Sequence, residues 1–175
     1  MVIGMDLYGP LPPDVDGNCW ALIMVEVSRT DYSIVVPMRE KTAANVQQAL
    51  SMAFEELKTV GKLGTPEVVR VHSDSDRSLL EGAIESFLKG RDIRQTHTGG
   101  YRPQNNARAE RRIRMLNEGF RATLLHATGG VDVYDNLWAQ GLIHASDRSN
   151  KHPWDDGRAP YEELSGIKGI RSRQG

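Results

Sequence analysis

The chain has 175 residues, of which 39% are hydrophobic and 26% charged, and its net charge is -1 at pH 7. This length suits one domain with a sizeable core, and no stretch approaches the roughly 20 apolar residues that cross a bilayer. The sequence opens without a signal-peptide pattern, and its single cysteine excludes an internal disulfide and a zinc site built on paired cysteines. We therefore expect an intracellular protein that is neither secreted nor membrane-bound. Its domain should span residues 1–165, with a frayed tail over 166–175.

The first 40 residues predict three strands of an antiparallel meander. Apolar runs over 2–8, 19–27 and 32–38 favour strands, and a proline-rich segment and a tight turn separate them. Asp6 stands in the middle of the first strand. A carboxylate is costly there unless it is paired or binds a metal ion, so a functional role is favoured.

The remainder of the chain alternates helical and extended patterns. Thr42 is a plausible cap for the first helix, which ends near Gly61, and an apolar strand ends at Asp74. The later predicted elements are a helix over 78–90, a strand over 92–98, a helix over 105–127, a helix capped by Asp132 and a short turn over 161–164. This order predicts a mixed α/β fold with a five-stranded sheet, in which the first and fourth strands lie side by side.

The helix predicted over 105–127 is rich in arginine. Six arginines and two acids fall between residues 99 and 121. Four apolar residues at helical spacing should line its core side, and the arginines should occupy the remainder of its surface; the four are Ile113, Leu116, Phe120 and Leu124. Such a surface is often only a solvated face, but it would also suit the phosphates of a nucleic acid.

Three acids form a candidate metal site. Asp6 and Asp74 lie on the two strands predicted to be neighbours, and Glu110 lies on the arginine-rich helix, with 35 residues between it and Asp74. Carboxylates are the ligands that Mg²⁺ prefers, and a pair of such ions about 4 Å apart promotes in-line displacement at a phosphodiester. The pattern therefore favours chemistry on a nucleic acid.

Each acid also has a simpler explanation. Asp74 could cap the following helix, and Glu110 could pair with Arg114 one helical turn later. A second pair with the same spacing, Asp31 and Glu67, falls in a turn and at the start of a strand. The prediction of a metal site therefore rests on the strands and the helix in which the acids lie. The spacing alone does not distinguish Asp74 and Glu110 from the second pair.

Two segments resemble the catalytic core of retroviral and LTR-retrotransposon integrases. They are residues 72–74, His-Ser-Asp, and residues 103–110, Pro-Gln-Asn-Asn-Ala-Arg-Ala-Glu, with the arginine-rich continuation. The segment 160–166, Pro-Tyr-Glu-Glu-Leu-Ser-Gly, is similar to that family, as is the spacing of Trp138, Ala145 and Asn150. The resemblance covers most of the chain.

The resemblance implies an RNase H-like fold and an enzyme that processes element DNA ends and joins them to target DNA in the nucleus. Asp6, Asp74 and Glu110 would be the catalytic residues and the ligands of two Mg²⁺ or Mn²⁺ ions. Residues 99–106 would form a loop that approaches DNA, and the chain would work as a homo-oligomer. The implied DNA-binding residues are Arg102, Gln104, Asn106, Arg108, Arg111 and Arg114.

Two departures from the family's pattern leave alternatives open. Ser75-Asp76 replaces the usual glycine turn after the second acid, and Ala107 stands where glycine is usual. Asp76 could serve as a fourth carboxylate in a ribonuclease H or resolvase-like nuclease. The departures would equally suit a catalytically impaired module that only binds DNA or dimerises.

Overall fold

A computed structural model describes residues 1–61, 67–73, 81–97, 107–127, 129, 136–154 and 157–167. The five strands are β1 (Val2–Tyr8), β2 (Trp20–Glu26), β3 (Ser33–Met38), β4 (Arg70–Ser73) and β5 (Arg94–His97). The helices in these described ranges are α1 (Ala43–Gly61), α2 (Glu81–Lys89), α3 (Ala107–Ala127), α4 (Trp138–Lys151) and α5 (Pro160–Ser165). The predicted cap Asp132, the predicted start of α2 at 78–80 and most of the predicted tail lie outside the described residues.

All five strands form one mixed sheet in the order β3-β2-β1-β4-β5. The first three strands pair antiparallel, whereas β1 with β4 and β4 with β5 pair parallel. The meander therefore ends on β3, and the chain returns through α1 to the opposite side of β1. This arrangement confirms the predicted mixed α/β fold and the predicted adjacency of the first and fourth strands.

Several element ends differ from the sequence-based expectation. The strand β5 begins at Arg94, two residues later than predicted, because Asp92 adopts a left-handed conformation with φ of 56°, which strand geometry does not allow. The segment predicted as a short turn is a complete helix, α5, which begins at Pro160. Gly166, with φ of 68°, ends that helix in the left-handed conformation that glycine adopts without strain.

One face of the sheet packs against α1, α2 and α5. Alternate residues of the strands, Ile3 and Met5 on β1 and Leu22 and Met24 on β2, enter this layer because successive side chains of a strand point to opposite faces. The helix α1 supplies an apolar stripe at helical spacing. Its start is capped as predicted, with the Thr42 hydroxyl accepting a hydrogen bond from the Asn45 amide at 3.3 Å.

The other face of the sheet carries α3 and α4. The remaining residues of β2, Ala21, Ile23 and Val25, pack against both helices, and α3 crosses β2 while α4 crosses β3. The apolar residues contributed by α3 are Ile113, Leu116, Phe120 and Leu124, as predicted. These two helices pack on β2 and β3. A functional site on this face would therefore lie beside them, towards β1.

The close contact between α3 and α4 depends on a glycine. A Cβ atom added at Gly141 would stand 2.5 Å from Cδ2 and 3.0 Å from Cε2 of the buried Phe120 ring. At Gly119, on the facing helix, an added Cβ would meet only the Ala145 Cβ at an ordinary 3.8 Å. The two glycines therefore form a matched pair for a test of this packing.

We expect Gly141→Ala to lower the free energy of unfolding by about 1–3 kcal/mol, because Phe120 must leave its packed position. Gly119→Ala should be neutral or raise it by up to about 1 kcal/mol, since alanine favours helix and the space exists. Urea unfolding of both variants measures the difference. Equal stabilities for the two variants would contradict the packing described here.

The edge strand β3 contains a proline. Pro37 pairs with Ala21 in the antiparallel register, although it has no N–H group to donate. Proline is tolerated in a sheet where the missing donor would point away from the partner strand, which is the case only on an edge. Across the ranges given above, no helix is long and apolar enough to cross a membrane.

Candidate nucleic-acid-processing site

Asp6 lies on the sheet face that carries α3 and α4. It is directly opposite Ile23 of β2 in the antiparallel register, and Ile23 belongs to the core beneath those helices. The Asp6 side chain is nevertheless exposed, and its Oδ1 accepts a hydrogen bond from the Leu7 amide at 2.8 Å. The strand therefore presents a carboxylate to solvent at the boundary of the apolar layer.

Beyond β2, this face of the sheet becomes polar. The parallel register sets Gly4 of β1 level with His72 of β4, and His72 level with Thr96 of β5. His72 Nδ1 lies 3.0 Å from the Thr96 hydroxyl, so the two side chains share a hydrogen bond across the strands. Asp6 thus stands at the junction of an apolar half, under the helices, and a polar half on β1, β4 and β5.

Glu110 lies on the flank of α3 that is turned away from α4. The opposite flank is marked by Arg112, which bonds α4, and by Gly119, whose nearest neighbour is Ala145 of α4. Glu110 and Arg114, one turn apart, are on the other side of the buried stripe and are exposed. Because α4 packs on β3 and α3 packs on β2, this flank is on the side of β1, the strand of Asp6.

The third acid falls beyond what the structure describes. Ser73, the residue before Asp74, ends β4 and is paired with Met5, the residue before Asp6. Asp74 and the predicted DNA-contacting residues Arg102, Gln104 and Asn106 lie outside the described residues. Within the described ranges, no three His, Cys, Asp or Glu side chains form a cluster that could hold a metal ion.

Arg108 contacts the turn between β2 and β3. Its Nε forms an ion pair with Asp31, Nη1 donates to the Val27 carbonyl at 2.9 Å, and Nη2 donates to the Arg29 carbonyl at 3.3 Å. Asp31 adopts a left-handed φ of 52°. Burial raises the pKa of the Asp31 carboxyl, and Arg108 beside it acts in the opposite direction without cancelling the rise.

Arg112 corrects the expectation that every arginine of this helix occupies its surface. It is only 4% exposed, and its Nη2 donates to Asn150 Oδ1 of α4 at 3.3 Å. Burial lowers the pKa of its guanidinium, and the nearby Asp31 partly restores it. Asn150 also accepts from the Ser33 amide at 2.9 Å and donates to the Ser33 carbonyl at 2.7 Å, which ties α4 to β3.

Glu26, at the end of β2, organises the same turn. It is 1% exposed and its carboxylate accepts from the amides of Ser28, Arg29 and Thr30 and from the Ser28 and Thr30 hydroxyls. Burial alone would raise the pKa of Glu26. The hydrogen bonds from Ser28 and Thr30 outweigh that effect and leave the pKa below its ordinary value.

Sequence reasoning did not find Asp31, Arg112 and Asn150 as members of one cluster. Asp31 was interpreted only as a turn residue, and Asn150 only through its spacing from Trp138. One signal was available for Arg112, which adjoins Ile113 and precedes Leu116 by one turn and so falls beside the predicted core stripe. Its partners come from 38 positions later in the chain and from the β2–β3 turn, and no local pattern connects them.

A groove among the described residues lies away from Asp6 and Glu110. It has a volume of about 500 Å³ and lies on the opposite side of the sheet, between α1 and the start of β4. Phe54, Val68 and Ile93 are among its lining residues. Small-molecule sites are usually concave. The exposed Asp6 carboxylate, by contrast, is accessible to a long polymeric substrate.

Comparison with solved structures places this architecture among retroviral integrase cores. The catalytic core domain of BIV integrase matches with a TM-score of 0.65 and 21% identity, over 93% of this chain and 92% of that chain. A simian T-cell lymphotropic virus intasome in complex with PP2A regulatory subunit B56 gamma contains a chain that matches with a TM-score of 0.68 and 12% identity, over 95% of this chain. This chain spans only 54% of the length of that one. No protein-family model and no curated protein sequence matches.

At these identities the likeness establishes the fold. The chain has the mixed five-stranded α/β fold of retroviral integrase cores, as the resemblance of its sequence implied.

Proposed function

We propose that this chain is a metal-dependent polynucleotidyl transferase of the integrase type, which processes DNA ends and joins them to target DNA. The observation that carries the proposal is the register of β1 and β4, which pairs Met5 with Ser73. Asp6 and Asp74 each follow directly, about 3.8 Å further along the backbone. The register of the residues that precede them supports a meeting of the two acids, and Glu110 lies on the flank of α3 on the side of β1.

The donor set fits a hard divalent cation. Asp6, Asp74 and Glu110 supply only carboxylate oxygens, which Mg²⁺ and Mn²⁺ prefer, and Asp6 and Glu110 are exposed, so a substrate phosphate can reach them. Asp6, Asp74 and Glu110 would together hold the two ions. Two bound ions would supply activation of the attacking oxygen and stabilisation of the leaving oxygen.

The protein's own part is to position these groups and the DNA. The paired strand fixes the backbone of Asp6, and the helix fixes that of Glu110, so neither acid depends on a loop for its placement. Arg111 and Arg114, exposed on the same helix, would contact backbone phosphates, which set the position of DNA without reading its sequence. DNA is therefore the proposed partner and substrate.

A disintegration assay tests the proposal most directly, because it requires only the catalytic activity of the core. The chain is incubated with a branched DNA that mimics the joined product, with Mn²⁺ or with a chelator. We expect resealed target strand only with the metal. Cleavage of an RNA–DNA hybrid without DNA joining would support the nuclease alternative, and absence of both activities and of Mn²⁺ uptake by calorimetry would support the non-catalytic one.

Arg114→Ala should weaken DNA binding without changing the fold. Loss of one phosphate contact is expected to reduce the slope of log K against log salt concentration by about 1. Binding titrations between low and moderate salt measure this slope. A matched control is Lys151→Ala, an exposed cation on α4 that pairs with Asp147 at 2.7 Å; a slope unchanged in Arg114→Ala would contradict the proposed contact.

We further propose that the chain acts as a homo-oligomer. Two exposed apolar side chains on the late helices support this, Met115 of α3 at 50% and Ile143 of α4 at 43% exposure. The likeness to a chain of a viral intasome adds support. Sedimentation equilibrium of the purified chain measures the association state.

A further inference from the structure

We propose that the contacts of Arg108 and Arg112 form a positioning device for Glu110, in place of the phosphate contact predicted for Arg108 from the sequence. The α3 anchor is defined here as Asp31, Arg108, Arg112 and Asn150. Its catalytic consequence rests on the proposed function, whereas its structural part does not.

The first fixed point of the α3 anchor is Arg108. Its planar guanidinium contacts the Asp31 carboxylate and two backbone carbonyls of the same turn, those of Val27 and Arg29. Three acceptors in different directions fix both the position and the orientation of a planar guanidinium. They would not fix the orientation of a lysine ammonium group. The start of α3 is therefore joined to the β2–β3 turn at a defined distance.

The second fixed point is Arg112, one helical turn later. It is buried between α3 and α4, and its bond to Asn150 links it to Ser33 of β3. Two attachments on one side of a helix, one turn apart, oppose both sliding along the helix axis and rotation about it. Glu110 lies between them in sequence, about 200° from Arg108 around the helix, and so projects on the other side.

The β2–β3 turn is stiff enough to act as the base of the α3 anchor. The Glu26 carboxylate accepts five hydrogen bonds within it, and the Asp31 amide donates to the Glu26 carbonyl at 2.9 Å. The Val27 amide donates at 2.9 Å to the carbonyl of Val2 on β1. The same turn thus bonds β1, which carries Asp6, and α3, which carries Glu110.

The test uses Arg108→Ala and the milder Arg108→Lys in the full chain. We expect Arg108→Ala to lower kcat for Mn²⁺-dependent joining by roughly 10- to 100-fold, since a displacement of about 1 Å can cost 10²-fold. DNA affinity and its salt slope should stay unchanged. Hydrogen exchange at the amides of residues 111–115 should accelerate, and Arg108→Lys, which keeps the charge but not the fork, should show a smaller effect of the same kind.

The matched control is Arg158→Ala, which removes an exposed ion pair with Glu163 away from α3. It should alter neither kcat nor exchange in α3. A reduced salt slope in Arg108→Ala, with kcat unchanged at saturating DNA, would overturn the proposal in favour of a phosphate contact. If the wild-type chain joins no DNA, the proposed function fails and exchange alone decides: acceleration in Arg108→Ala sustains the α3 anchor, and unchanged exchange overturns it.

Discussion

Asp6→Asn is expected to lower metal-dependent joining on the order of 10³-fold and to leave the fold intact. Asparagine has nearly the same shape and can still accept the Leu7 amide hydrogen bond, so strand β1 should form as before. It lacks the charge needed to hold two cations, and the loss of several kcal/mol of transition-state stabilisation corresponds to this factor. The measurement is single-turnover joining with Mn²⁺, with circular dichroism to monitor the fold.

The same loss is expected for Asp74→Asn and Glu110→Gln. The helix α3 provides a matched control, because Glu118 is a second exposed acid on it, two turns after Glu110. Glu118→Gln removes the same charge from the same helix, so it should retain full activity if position, not charge alone, matters. Joining at the wild-type rate by any of the three site variants would refute the assignment of that residue.

Glu26→Ala is expected to lower the free energy of unfolding by about 3–5 kcal/mol. The substitution leaves buried donors of the β2–β3 turn without their acceptor, and removal of one member of a buried charged network typically costs this much. Urea unfolding at pH 7 measures the loss. A change below about 1 kcal/mol would contradict the central place of Glu26 in the turn.

The contribution of Glu26 to the free energy of unfolding should also depend on pH, and it should fall on acidification. Because the folded state lowers the pKa of Glu26, its contribution is fully present above the unfolded value of about 4.3 and is lost as pH falls through the folded pKa. The stability difference between the wild-type chain and Glu26→Gln should therefore shrink on acidification below about pH 4.3. A difference independent of pH would show that shape, and not ionisation, is what the turn requires.

The sheet was predictable because its determinants are local. Apolar runs separated by turns gave the meander, and the helical spacing of α1 between β3 and β4 required a crossover that brings β4 beside β1. The core side of α3 was predicted for the same reason, from Ile113, Leu116, Phe120 and Leu124. The start of β5 was not predicted correctly, because the left-handed conformation of Asp92 depends on its turn and not on a periodic pattern.

The candidate site could be predicted only in part. Asp6 and Glu110 are positioned by a strand and a helix, and the structure shows them on the same face of the sheet. The roles of all the predicted site residues stay predictions, and Asp74, Arg102, Gln104 and Asn106 lie outside the described residues. Arg112 was assigned to the surface because arginine is rarely buried, and its burial depends on Asn150 and Asp31, whose positions only the folded chain defines.

Pro37 in β3 limits how copies of this chain can associate. An edge strand normally offers a row of free amide and carbonyl groups that template further strands and lead to aggregation. Pro37, the fifth of the six residues of β3, interrupts that row next to its end, so sheet extension along the whole of this border is blocked. Assembly into a working complex would then have to use a surface other than this edge, such as the helices or the opposite edge strand, β5.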